Sequence, residues 1–401
     1  MTLSLFLFRD IDNMDLHKMC KKNIILLQGV KNRMKKRILS MLLALTMTVS
    51  MAVGCSSNSG SDKSSTDDKK TEATKEETKS VFTKSPTGKT NSGVVTYNVD
   101  MTQYEDGKKV RVWLPVAQDT DYQTIKDVTY DVNGAEGKIT EDALGNKMLY
   151  IEWDKDTAAT DRTATCSFHV DRKEILRPEL KEEGKPGTDL DEYLEASSTI
   201  PVDGVVKETA DEITKGKDTY LDKARAIYDW IIANMNRDES VKGCGQGDVC
   251  ALLDTKGGKC TDINSVFVGL CRASGIPARE MFGVRINDTD ITKNQHCWAE
   301  FYLPGFGWVA ADPADVLKAV LKNSWDKESA EAKEIQEYYW GSNDEKRVEL
   351  SEGRDITLEP AQDGDKLNNF GYPYAEVDGT AVDFYTPDTF VYTISFAQDA
   401  Q

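Results

Sequence analysis

Histidine is scarce in this chain: 401 residues hold three, His17, His169 and His296. Any chemistry that needs an imidazole therefore has few candidates. Basic residues are outnumbered, 50 Lys and Arg against 68 Asp and Glu, for a net charge of −18. So acidic a chain lacks the footprint of a nucleic-acid binder. The eight cysteines show no paired C-x-x-C spacing. With so few histidines, that argues against a zinc module, and no motif asks for a cofactor. There is no internal repeat. Apart from one stretch near the N-terminus there is no long apolar run, which excludes a protein of many membrane spans.

That one run opens at Met34. "MKKRILSMLLALTMTVSMAVGCSS" places Lys35, Lys36 and Arg37 before an apolar stretch to Val53, then small residues before Cys55. This is the order of a secretory signal. Ala52-Val53-Gly54-Cys55 resembles a bacterial lipobox, which makes residues 34–54 a lipoprotein signal peptide and Cys55 the lipid anchor. An uncleaved anchor helix is the alternative. Either places the chain on the extracytoplasmic face of the cell membrane. Residues 1–33 precede a complete signal and read as a non-translated extension. Residues 55–92 are polar, Ser/Thr/Lys-rich and too poor in apolar groups to order themselves, so they read as a disordered tether.

Beyond the tether the chain carries signals of both strand and helix. From Val94 to about Arg172, short β-branched and aromatic runs alternate with turn signals such as Asn133-Gly134, which predicts a small β-sandwich over 93–188. His169 falls on the polar side of its strand with Thr163, Thr165 and Ser167, and reads as a solvated histidine. Cys166 falls on the inward side. From 189 to 401 the period becomes helical. Leu221, Ala224, Tyr228, Ile231 and Met235 form one stripe; Ile263, Val266, Phe267 and Leu270 form another, closed by Gly275 and Pro277. Residues 295–313 read as two strands around "PGFG", 314–340 as helix, and "DTFVYTISF" as a closing strand. The fold class is α+β.

Cys260 stands at the head of the second helix, where free N–H groups and the positive dipole end favour a thiolate. Asp262 opposes this by its charge. His296 is the one histidine left for chemistry once His17 and His169 are set aside. Strand alternation puts His296, Trp298, Glu300 and Tyr302 on one face. A loop of three or five residues then sets Trp298 opposite Asp312, and His296 one diagonal step from Asp312. A Cys260-His296-Asp312 triad would attack an acyl carbon through sulfur, shuttle the proton through imidazole, and steady the imidazole by a carboxylate. The N–H of Cys260 and the side chain of Gln246 in "GCGQGDVC" are candidate oxyanion donors.

Three stretches, "GGKCTDINSVFVGLCRASGIPAR", "QHCWAEFY" and "GWVAADPAD", together resemble the transglutaminase-like superfamily in order and spacing. The firm likeness covers 257–313, and a looser one runs upstream to Asp218 and downstream through "YYWGSNDEKRVELSEGRDITLEP". The resemblance implies a papain-like core, a cysteine-bearing helix packed on an antiparallel sheet, with Cys260 as nucleophile, His296 as base and Asp312 as orienting acid. It implies a peptidase or amidase if water accepts the acyl group, or a transglutaminase-type acyltransferase if an amine does. The partners expected are peptide chains of the envelope or extracellular proteins, with the membrane reached through the lipid. A non-catalytic lipoprotein binding peptide or glycan on the aromatic face of Trp298 and Trp308 is the alternative. Among the other cysteines, Cys244 and Cys250 flank a Gly-rich loop and form the expected disulfide. A Cys260–Cys297 disulfide competes with the nucleophile. Cys271 reads as core filler.

Overall fold

The structure, a computed structural model, describes residues 85–400 apart from 178, 186, 188 and 387. The extension 1–33, the signal, Cys55 and the tether up to residue 84 lie outside the described residues. In chain order the strands of the first half are β1 (Ser85–Asp100), β2 (Val110–Pro115), β3 (Gln123–Val132), β4 (Gly137–Glu141), β5 (Lys147–Trp153) and β6 (Thr163–Leu176). Along Thr163–Val170 burial alternates residue by residue, so Ala164, Cys166, Phe168 and Val170 face inward. His169 faces out and meets Asp399 at 2.9 Å.

The helical half contributes α1 (Gly204–Ile213), α2 (Tyr220–Asn234), the two-residue β7 (Asn236–Arg237), α3 (Val249–Thr255), the two-residue β8 (Gly257–Gly258) and α4 (Cys260–Ala273). Then come β9 (Ala278–Arg285), β10 (Gln295–Leu303), β11 (Gly307–Ala311), α5 (Pro313–Asn323), α6 (Ala330–Tyr338), β12 (Trp340–Gly341) and β13 (Arg347–Glu352). β14 (Tyr374–Val377), β15 (Thr380–Ala381) and β16 (Val391–Gln398) complete the order. Among the described residues no helix is long and apolar enough to cross a membrane.

Three sheets carry the architecture, an α+β fold. β12-β11-β10-β9-β13 is antiparallel throughout, and α4 lies on it. Ile263, Val266, Phe267 and Leu270 of α4 share one core with Cys297, Ala299, Phe301 and Leu303 of β10 and with Ile227, Tyr228 and Ile231 of α2. Nearly every residue of α4 is buried, as in a central helix packed on all sides. It stops where Gly275 takes φ +80°, with the amides of Gly275 and Ile276 bonded back to the carbonyls of Arg272 and Cys271. That left-handed reversal suits glycine.

The other two sheets, β16-β1-β6-β3 and β15-β14-β2-β5-β4, enclose a second core built from Val95, Tyr97, Val112, Ile151, Trp153, Phe168, Ile394 and Phe396. Three sequence expectations are corrected here. The first strand begins at Ser85, earlier than residue 93: Asn91 is buried and donates to Ile286 O at 3.0 Å. The sandwich sheets are not drawn from the first half alone, because β16 pairs with β1 (Gly93 opposite Gln398) and β14 with β2. Residues 314–340 are two helices. Ser324 turns left-handed at φ 54°, and Ser329 caps α6 by accepting from the amide of Ala332.

Candidate active site

Two short devices fix the helix tip. The carboxylate of Asp262, in the first turn of α4, accepts from the amides of Gln246 (2.9 Å), Gly247 (2.8 Å) and Lys259 (3.0 Å). It ties the "GCGQG" loop to α4. A Cβ at Gly245 would stand 2.0 Å from that carboxylate, in a residue held at φ +94°. Charge that could oppose a thiolate at Cys260 is thus spread over three N–H donors. The amide of Thr261 bonds Cys244 O at 2.9 Å, which sets the Cys244 segment beside Cys260.

β10 and β11 supply the partner groups. Their register pairs Ala299 with Ala311 and Leu303 with Gly307 across a loop of 304–306. This is the odd loop that brings His296 within a diagonal step of Asp312. His296 Nε2 lies 2.7 Å from Asp312 Oδ2, and both residues are buried. Asp312 does a second job: as N-cap of α5, its Oδ1 accepts from the amide of Asp315 at 3.0 Å. Behind it the fully buried Arg347 of β13 reaches Asp312 at 2.8 Å and Asp315 at 2.7 Å. Burial pushes the Asp312 carboxyl up. The charges of Arg347 and then His296 outweigh this and leave it below the usual carboxylate range.

Cys260 opens into a cleft of about 580 Å³ that His296 also lines. Its thiol is held well below the ordinary cysteine range, against the opposing effect of burial. The causes are hydrogen bonds with the thiols of Cys244 and Cys297, then the hydrogen bond and charge of His296. Since Nε2 of His296 serves Asp312, its Nδ1 is the atom left for sulfur. The sulfurs of Cys244, Cys260 and Cys297 lie within 4.8 Å of one another. The Cys244 thiol is raised, first by its bond to Cys260, and the Cys297 thiol first by burial. Both neighbours therefore keep their protons and can donate to a Cys260 thiolate.

That trio has the spacing for a soft cation, which linear spacing in the sequence did not reveal. His296, Asp312 and Asp315 also cluster within 4.8 Å, but Arg347 and Arg285 already sit on those carboxylates.

The structure brings Cys260, His296 and Asp312 together and sets the other sequence candidates elsewhere. The Gln246 side chain is exposed, while its amide serves Asp262 and its carbonyl accepts from Arg354 at 3.1 Å. It does not line the cleft. Trp298 is fully buried with Met281 and Ala310 on the sheet face away from α4. Trp308 packs under the Arg279 guanidinium at 4.4 Å and against Tyr193, also off the cleft. Cys244 is a free thiol, so the Cys244–Cys250 disulfide is not formed; its sulfur turns inward toward Cys260 and accepts from Tyr372 Oη at 3.0 Å. Cys260 and Cys297 are free as well, as is the buried Cys271. Sequence reasoning missed Arg347, though the stretch holding it belonged to the looser family likeness. It also missed the aromatic wall of Tyr372, Phe384 and Tyr385, which no local pattern connects to Cys260.

The family model described as the transglutaminase-like superfamily matches residues 207–313, a span that contains Cys260, His296 and Asp312. An uncharacterized protein of Haemophilus influenzae is 35% identical over 343 aligned residues, covering 75% of this chain and 93% of the relative. The chain belongs to the transglutaminase-like superfamily. Among solved structures, a protein of Cytophaga hutchinsonii proposed to be a cysteine protease is similar at 19% identity and a TM-score of 0.47, over 77% of this chain and 98% of the other. The periplasmic domain of TgpA from Pseudomonas aeruginosa is similar at 14% identity and a TM-score of 0.33, over 58% and 90%. The span matched by the family model takes in α4 and the strands β9 to β11.

Proposed function

We propose that the protein is a thiol enzyme that breaks amide bonds through an acyl-enzyme intermediate, with Cys260, His296 and Asp312 as its catalytic residues. The observation that carries this reading is Cys260 at the tip of a helix, in one cleft with a histidine locked to a buried carboxylate; the lowered Cys260 thiol supports it. In the first step the Cys260 thiolate adds to the carbonyl carbon and the amide N–H of Cys260 faces the oxyanion. The imidazolium of His296 gives its proton to the departing amine as the C–N bond breaks. In the second step water attacks the thioester carbon and loses a proton to His296, and the acid leaves as sulfur is released. Asp312 keeps the imidazole in one orientation, and Arg347 keeps Asp312 ionised.

Hydrolysis is favoured over transfer to an amine by the lining of the cleft, where the cations outnumber the carboxylates and Lys318 would repel an ammonium-bearing acceptor. Attachment to the extracytoplasmic face of the membrane through Cys55 is part of the same proposal and rests on the sequence around that residue. The alternative, a binding protein without activity, could not use Trp298 or Trp308, since neither lines the cleft.

Limiting iodoacetamide at mildly acid pH, followed by peptide mapping, tests the proposal. Labelling confined to Cys260 and lost in His296→Ala supports it. Equal slow labelling of all accessible thiols, or a Cys260→Ala protein as active on peptide amides as wild type, rejects it.

A further inference from the structure

The cleft around Cys260 is lined by six cationic side chains, Arg237, Lys242, Lys259, Arg285, Lys293 and Lys318, and by one carboxylate, Glu239. This collection sits in a chain whose net charge is −18. Several of the six are neutralised locally. Arg237 meets Glu239 at 3.0 Å, Lys259 meets Glu239 at 3.5 Å, Lys242 meets Asp383 at 2.6 Å, and Arg285 pairs with Asp315. Lys318 is different. It projects from α5, one turn beyond Asp315, and is half-buried. Among the described residues no carboxylate lies within ion-pair distance of its ammonium. Burial, then the charges of Arg285 and Arg237, disfavour its protonated form, and the Cys260 thiolate and Asp312 compensate only in part. Arg285 Nε is also buried without a partner.

Like charges gathered on a partly desolvated wall are unfavourable until an anion arrives. In the same cleft Tyr372, Phe384 and Tyr385 pack together with ring centroids 4.3 to 5.2 Å apart and offer an apolar surface. We infer that the cleft takes an acyl donor carrying a carboxylate close to the reacting carbonyl, and that Lys318, with Arg285 and Arg237 behind it, is the residue that recognises it. The substrate class is an acidic peptide whose anionic group meets Lys318 and whose apolar part rests on the aromatic wall. This deepens the reading of the site as a thiol enzyme and depends on it.

Alkylation by two reagents of matched size, anionic iodoacetate and neutral iodoacetamide, separates the two claims. The readout is the ratio of their rates at Cys260 in the chain from Cys55 onward. The imidazolium acts on both reagents in every variant, so a change in the ratio reports Lys318. Lys318→Met is expected to lower the ratio by about threefold to tenfold, the size of one charge acting a few ångströms away through a partly aqueous path. Lys318→Arg is expected to restore it, and half-molar salt to lower it in wild type. With peptide amides, replacing Glu by Gln near the scissile bond, or a free C-terminus by an amide, shows which carboxylate is read, through KM more than kcat. An unchanged ratio in Lys318→Met with Cys260 still selectively labelled overturns this inference and leaves the thiol-enzyme reading standing. Failure of Cys260 to react selectively with either reagent overturns both.

Discussion

At the scale of single residues, the site depends on which neighbour holds which proton. Cys244 is the first cause of the depressed Cys260 thiol, so Cys244→Ala removes a donor to the thiolate and should raise the Cys260 pKa. The acid limb of the labelling profile should then move to higher pH; an unmoved limb would show that His296 alone sets it. Asp312 performs three tasks, as partner of His296, partner of Arg347 and cap of α5. Asn can still cap a helix but carries no charge. Asp312→Asn should therefore lower kcat at least about a hundredfold while costing roughly 1–3 kcal/mol of stability, because Arg347 loses one of its carboxylates. Kinetics on a peptide amide together with a denaturant melt would check both parts. A variant with wild-type turnover would remove Asp312 from the mechanism.

At the scale of elements, the glycines around α4 separate function from stability. Gly245→Ala would drive a methyl into the Asp262 carboxylate at a φ of +94°. It should loosen the loop from the helix tip, slow Cys260 labelling and cost about 1–3 kcal/mol. Gly275→Ala, at φ +80° with open space around it, should cost about 1 kcal/mol and leave labelling unchanged. Parallel melts and labelling rates would show whether the two effects divide in this way. The same elements show what is legible in the sequence. Cys260 and His296 can be found there because each lies on a regular element whose period fixes where it points, and Asp312 because it directly follows the strand β11. Alternation then requires an odd loop, three or five residues long, if His296 and Asp312 are to share a face, and the structure takes the three-residue one, 304–306. Gln246 and the aromatic faces are misjudged because alternation says which face a residue takes and not what covers that face. Trp298 and Cys297 lie on opposite faces of β10 and both are buried. Arg347 and Lys318 enter the site by long-range pairing and packing, which leave no local trace.

At the scale of the whole molecule, the two cores meet through buried polar groups. Arg172 of β6 donates to the carbonyl of Arg347, and Tyr122 Oη donates to Glu349 of β13 at 2.6 Å. Burial, then the charge of Glu300, raises the Glu349 carboxyl to about 7. The unfolded chain releases this proton near the ordinary glutamate value, whereas the folded chain keeps it until about 7. Between those values the folded state binds more protons, so stability should fall as pH rises through that window and level off above it. Glu349→Gln should gain stability over wild type at pH 8, by a few kcal/mol at most, and little at pH 4. Denaturant melts at both values would check this, and equal gains at both would refute the assignment. The joining of β1 to β16 has a further consequence for how the chain is made. Val99 cannot meet Tyr392, nor Val95 meet Phe396, until the about 300 residues between them have emerged. Contacts so remote in sequence close slowly, and a sheet that lacks its edge strand holds together poorly. The topology thus acts as a timer: this sheet stays open until β16 arrives to close it against β1.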